Sequence, residues 1–167
     1  MTDALARRAE GLAAQGAPFV SATVVRAQRP TSVRAGNIAL VLDDGTIEGF
    51  VGGVCAEQSV RVQALKTIAS GEPVLLRILP GEVDGDGERK EEGAVTVQNP
   101  CLSGGAIEIF LEPVLPAPRV VVVGTTPIAA ALERLGPELG LDIAAIHDAP
   151  PTLAHGDLAL VVAAHGR

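Results

Sequence analysis

The chain has 167 residues, 13 Lys and Arg against 20 Asp and Glu, a formal net charge of -7, and an aromatic content of 2%, made of three Phe with no Trp or Tyr. Nucleic-acid binding draws on cationic residues that displace counterions and on aromatic faces that stack on bases, so this composition argues against it. With 47% hydrophobic residues the chain can bury a core for one domain or one and a fraction, and no window of roughly 18 uninterrupted apolar residues offers a membrane span.

The opening segment carries Asp3, Arg7, Arg8 and Glu10, which break the apolar stretch a secretory signal needs and predict a cytoplasmic protein. Residues 2–15 place Leu5, Ala9, Leu12 and Ala13 at helical spacing, and Gly16 with Pro18 ends that helix. From Phe19 the β-branched run FVSATVVRA predicts a strand, RPTSVRAG a loop, and NIALVLDDGTIEGFVGG a β-hairpin turning at Asp44-Gly45. The segment VCAEQSVRVQALKTIAS has no Gly or Pro, and Val54, Ala56, Val60, Ala64, Leu65 and Ile68 mark one helical face before Gly71 and Pro73 close it.

PVLLRILP then reads as a strand, and residues 81–93, with six acidic side chains against Arg89 and Lys90, as a solvated polar loop. AVTVQ and AIEIFLEP are two further strands, separated by NPCLSGG. Three prolines within residues 113–118 predict a linker between a domain at 1–112 and a second unit at 119–167. That unit reads strand (RVVVVG), helix (TTPIAAALERLGPELG), strand (LDIAAIHD) and strand (LALVVAAH), the opening of a parallel α/β sheet. The predicted fold class is therefore α/β: an α+β domain with a mixed sheet and helices, followed by a partial Rossmann-like unit.

Four segments carry chemistry. In EGFVGGVCAEQSV a strand passes through Gly52-Gly53 into a helix with Cys55 in its first turn, where unpaired amides and the helix dipole favour an anion or a thiolate. The glycines allow close backbone approach; a small buried cysteine after a simple turn is the other reading. NPCLSGGAIEIFLEP repeats the form, with Cys101 ahead of Gly104 and Gly105. The two cysteines match neither a disulfide framework nor a closed zinc site, so two lone thiols are expected, converging on one pocket. RAQRPTSVRAG holds Arg26, Arg29 and Arg34, a loop suited to phosphate or to ordinary surface ion pairs.

VVVVGTTPIAAAL stands where a dinucleotide fingerprint would, but only Gly124 remains of its three glycines; Thr126 and Ala129 replace the others, and Asp148 is placed like a ribose-binding acid. NAD(P) binding is therefore not expected. His147, His155 and His165 have no ligand spacing for a metal, and no catalytic triad, Walker loop or other catalytic motif is present.

Taken in order, FVSATVVRAQRPTSVRAGNIALVLDDGTIEGFVGGVCAEQSV, AVTVQNPCLSGGAIEIFLEP and PRVVVVGTTPIAAALERLGPELGLDIAAIHD resemble the XdhC/CoxI family of accessory proteins for molybdenum hydroxylases. The resemblance implies a non-catalytic chaperone that binds molybdenum cofactor (molybdopterin) and protects it while a cysteine desulfurase supplies its terminal sulfur. It also implies delivery to a molybdenum hydroxylase apoenzyme such as xanthine or carbon monoxide dehydrogenase. On that reading Cys55 and Cys101 hold the metal or receive sulfur, Gly52, Gly53, Gly104 and Gly105 permit close approach, and Arg34 pairs with the cofactor's phosphate. The sequence departs from the family pattern in two ways: Val54 intervenes between Gly53 and Cys55, and Cys101 lies three positions before Gly104. Against the family the Rossmann-like region is shortened, which implies either a fragment or a sheet completed by another copy, as in a homo-oligomer, or by another chain, since an unpaired apolar strand at 158–164 would otherwise be an association hazard. An NAD(P)-dependent oxidoreductase and a scaffold with inert cysteines are the rival classes.

Overall fold

The structure, a computed structural model, describes residues 3–81, 88–99, 105–154 and 156–164. It comprises two compact units, Met1–Pro116 and Ala117–Arg167, and the fold is mixed α/β.

The first unit begins with helix α1 (Asp3–Ala14), followed by strands β1 (Phe19–Gln28), β2 (Ile38–Leu42) and β3 (Ile47–Gly49). Helix α2 (Val54–Ser70) comes next, then β4 (Val74–Pro80), β5 (Glu88–Glu91), β6 (Ala94–Asn99) and β7 (Ala106–Val114). The strands form one seven-stranded sheet in the order β3-β2-β1-β7-β4-β6-β5, antiparallel except for the β4–β6 pair.

Alternation along the strands sorts the two faces. Val20, Ala22 and Val24 of β1, Ile107, Ile109 and Leu111 of β7, and Leu76 and Ile78 of β4 form the main core, against which α2 lays Ala56, Val60 and Ala64. On the other face Leu12 of α1 packs with Phe19 and Leu40. That face also carries Arg26 paired with Glu108 and Arg77 paired with Glu91, as expected of an antiparallel sheet whose second side meets water.

The buried stripe of α2 is Ala56, Val60, Gln63, Ala64 and Thr67, whereas Val54 is 81% exposed and Leu65 lies at the surface. The helix is thus rotated from the face that hydrophobicity alone marks, and it buries two polar residues towards β5 and β6. The polar segment 81–93 is not all loop: residues 88–91 form β5, an edge strand pairing antiparallel with β6. Four charged residues on an edge are what keeps an open edge from pairing with another chain. Pro113 and Val114, placed in the linker by their sequence, instead complete β7 opposite Val20 and Phe19. Pairing with β4 reaches only Leu111, so Pro113 lies where β7 has a partner on one side alone, a position that tolerates the missing amide.

The second unit contains β8 (Arg119–Val123), α3 (Pro127–Leu135), β9 (Asp142–Ile146) and β10 (Asp157–Val162), in a parallel sheet of order β10-β8-β9. The helix is shorter than the sequence pattern suggests, because Gly136 and Pro137 end it and a 3-10 turn follows at Pro137–Leu139. Val120, Val122, Ala129 and Ala163 form this unit's own core.

Lys66 on α2 donates to Glu88 Oε2 at 2.8 Å, and this bond, more than the burial that opposes it, holds the Glu88 carboxyl below the usual carboxylate range. A lowered folded-state pKa contributes stability that is present above the unfolded value, about 4.3, and is lost as pH falls through the folded one. Glu88→Gln is therefore expected to be less stable than wild type at pH 7, with the gap closing on acidification, as measured by urea melts at pH 7 and pH 3.

Candidate functional site

The first unit encloses a cavity of about 490 Å³ lined by Pro30, Thr31 and Ser32 of the β1–β2 loop, by Gly53, Val54, Cys55 and Ala56 at the start of α2, and by Ile78, Pro80, Gly105 and Ile107 at strand ends. Its volume falls within the ~300–1,000 Å³ typical of small-ligand sites. One wall is apolar. The other is the start of α2, whose N-cap, Gly53, has no side chain with which to cap the first turn, and the helix dipole favours negative charge there.

The glycines expected to admit a ligand fall into different roles. Gly53 has φ -75, and a Cβ built on it would meet nothing within 4 Å; its bare Cα opens a path to the backbone. Gly52 has φ +139, and a Cβ would lie 2.7 Å from the Ala56 Cβ, so this glycine serves the turn into α2. A Cβ at Gly105 would collide with the Pro30 carbonyl oxygen and come within 2.8 Å of the Gln28 carbonyl oxygen. Gly105 therefore lets the start of β7 pack on the β1–β2 loop, and its close approach is to protein rather than to ligand. Gly104 and Cys101 lie outside the described residues, as do His155 and His165.

Cys55 sits in the first turn of α2, on the cavity wall, as the sequence places it. The expectation of a lone thiol is corrected, since Cys55 is disulfide-bonded. In that state its sulfur carries no thiolate to coordinate a metal, and a two-electron reduction must precede any such role. Among the described residues no group of three or more His, Cys, Asp or Glu is arranged to hold a metal ion, and no helix is long and apolar enough to cross a membrane.

Arg34 does not line this cavity. It lies with Arg29 on a second, polar cavity of about 350 Å³ formed by the β1–β2 loop, and Thr31 and Ser32 line both. Hydrophobic patterning has no means of finding that shared wall, because a loop's fold is set by hydrogen bonds such as Arg34 N–H to Asn37 Oδ1 at 2.8 Å.

In the second unit the dinucleotide position is filled by the chain itself. Gly124 has φ +128, and a Cβ there would run into the backbone of Ala163. The Thr126 hydroxyl donates to the Ala163 carbonyl at 2.9 Å and accepts from the Ala129 amide. The α3 N-terminus is thereby capped internally, and Pro127 supplies no amide in its first position. Asp148 is exposed. These residues do not build a pyrophosphate cradle.

Residues 12–78 match the model of the XdhC and CoxI family. That segment is similar to the family over less than half of the chain's length. It contains the strands β1 to β3, helix α2 and thus Gly53 and Cys55. An Escherichia coli K12 relative, the uncharacterized protein YqeB, is 29% identical over 130 residues, covering 78% of this chain and 22% of its own length. The chain thus spans about a fifth of that relative. A Bacillus halodurans crystal structure described as a xanthine dehydrogenase superposes with a TM-score of 0.47 at 15% identity, over 93% of this chain and 67% of that one.

The glycine roles separate in a stability measurement. Gly105→Ala and Gly52→Ala force backbone or packed atoms apart and are expected to cost about 1–3 kcal/mol each, while Gly53→Ala is expected to cost under about 1 kcal/mol; denaturant melts of the three variants check the order.

Proposed function

We propose that the chain is an accessory factor for molybdenum-hydroxylase maturation that holds molybdenum cofactor in the cavity at the start of α2. The observation that carries this reading is the meeting, within the segment that matches the XdhC and CoxI model, of a helix N-terminus with glycine as its N-cap, the bare Cα of Gly53 and Cys55 on one cavity of ligand size. The amides at the start of α2 suit an electron-rich dithiolene or oxo group, and the apolar wall of Ile78, Pro80 and Ile107 suits the flat face of a pterin. In an aromatic-poor chain such a site holds a ring system by aliphatic packing and backbone rather than by stacking.

The cofactor, when bound, supplies the metal and the sulfur-accepting position; this chain's residues bind it, shield it from water and present it. Cys55, once reduced, provides a thiolate favoured by the α2 dipole, with Cys101 as a second thiol that ligates metal or relays sulfur from a cysteine desulfurase. The recipient is a molybdenum hydroxylase apoenzyme in the cytoplasm, and the protein acts as a homo-oligomer without catalytic residues of its own. The internal capping of α3 favours this reading over an NAD(P)-dependent oxidoreductase.

The test is retention of molybdopterin after desalting, read by absorbance and molybdenum content, for the reduced wild type, Cys55→Ser and Cys55→Ser/Cys101→Ser. The single variant is expected to retain about ten-fold less cofactor and the double variant less again; retention equal to wild type in both overturns the thiol role, and no retention by the reduced wild type overturns the cofactor reading.

A further inference from the structure

The β1–β2 loop presents two guanidinium groups that the fold does not use. Arg26 on β1 and Arg77 on β4 are each paired with a carboxylate, at 3.3 Å and 3.1 Å. Arg29 and Arg34 have no such partner among the described residues, although the chain carries an excess of acidic side chains. Both line the polar cavity of about 350 Å³, together with Thr31 and Ser32.

The loop is held in shape independently of any ligand. Val24 N–H donates to the Asn37 carbonyl and Gly36 N–H to the Val24 carbonyl, at 2.9 Å and 2.8 Å, closing its base. Asn37 then clips Arg34 from both sides, its N–H donating to the Arg34 carbonyl at 3.0 Å and its Oδ1 accepting from the Arg34 amide at 2.8 Å. Two guanidinium groups without a carboxylate partner among the described residues, beside a serine and a threonine hydroxyl on a loop whose backbone is held in place, match a tetrahedral dianion, which accepts several charge-assisted hydrogen bonds at once.

We infer that the β1–β2 loop is a phosphomonoester site, with Arg29 and Arg34 on the phosphate and the Thr31–Ser32 segment as the wall across which the ligand's body enters the Cys55 cavity. Arg29 thereby becomes a binding residue alongside Arg34, and the ligand class is an elongated molecule with an apolar or flat body and one terminal phosphate. Only the identity of that body rests on the cofactor reading; the phosphate site does not.

Inorganic phosphate is the first probe, titrated into the full chain at low ionic strength and followed by amide chemical shifts. Shifts confined to residues 27–36 are expected, with binding weakened about ten-fold in Arg29→Gln and in Arg34→Gln, and thermal melts matching wild type. Cys55→Ser is expected to bind phosphate as wild type does, so a failed cofactor reading leaves this result standing. Phosphate affinity unchanged in the Arg29→Gln/Arg34→Gln double variant, or shifts elsewhere, overturns the site. Molybdopterin is the second probe: it is expected to displace phosphate competitively, and simultaneous binding of both overturns the shared-wall geometry.

Discussion

The pairing of β1 with β7 is the constraint on which the first unit depends. The two strands run antiparallel from Phe19 opposite Val114 to Gln28 opposite Ala106, and every other strand joins the sheet on one side or the other of this pair. Between Val24 and Arg26 the register shifts. Such a bulge bends and twists its strand, and here it keeps Ala27 on the core side with Ile107 while setting Arg26 opposite Glu108. The far end of the pair brings the β1–β2 loop against Gly105. A side chain at Gly105 would displace the Pro30 carbonyl, so the position of both cavities follows from the absence of one methyl group at the end of a strand.

From that frame the chemistry at α2 follows in sequence. The helix crosses the sheet face with Ala56, Val60 and Ala64 turned into the core. Gly52 makes the turn that aims it, and Gly53 is left with an ordinary φ and open space beside it. A serine or aspartate at this position would cap the helix and satisfy its amides internally. Glycine supplies no such cap, a local sacrifice of helix stability of the sort found where a backbone is kept available for a ligand.

What was legible in the sequence was what local pattern determines: α1, α2, the hairpin at Asp44-Gly45 and the alternating strands, whose side chains repeat with fixed periods. The family likeness was also legible, since it rests on the order of short segments. The face of α2 was not, because Gln63 and Thr67 are buried by the lie of β5 and β6 beneath them, a tertiary fact that no helical wheel contains. Nor was β5, since Glu88, Arg89, Lys90 and Glu91 have the composition of a solvated loop and become a strand only by pairing with β6. The glycine pair likewise hid distinct jobs: φ and neighbouring atoms separate Gly52 from Gly53, and neither is written in the residue name.

The second unit shows the same logic with the opposite outcome. Its strand order, with β9 and β10 on either side of β8, creates a switch point at the carboxyl end of β8, where open parallel sheets bind their ligands. Gly124 lies there, as a dinucleotide fingerprint requires, yet the backbone that approaches it is that of Ala163. Thr126 then places its hydroxyl on the Ala163 carbonyl and accepts from the Ala129 amide, so one amide of the helix start is already hydrogen-bonded to the chain. Replacing the second fingerprint glycine by threonine is therefore more than the addition of a bulky Cβ: it supplies a hydroxyl that links the start of α3 to the end of β10. A glycine with the backbone shape of a nucleotide site is thus compatible with a unit that packs on itself, whereas the N-cap of α2 is a glycine with no hydroxyl to offer its helix, on the wall of a cavity.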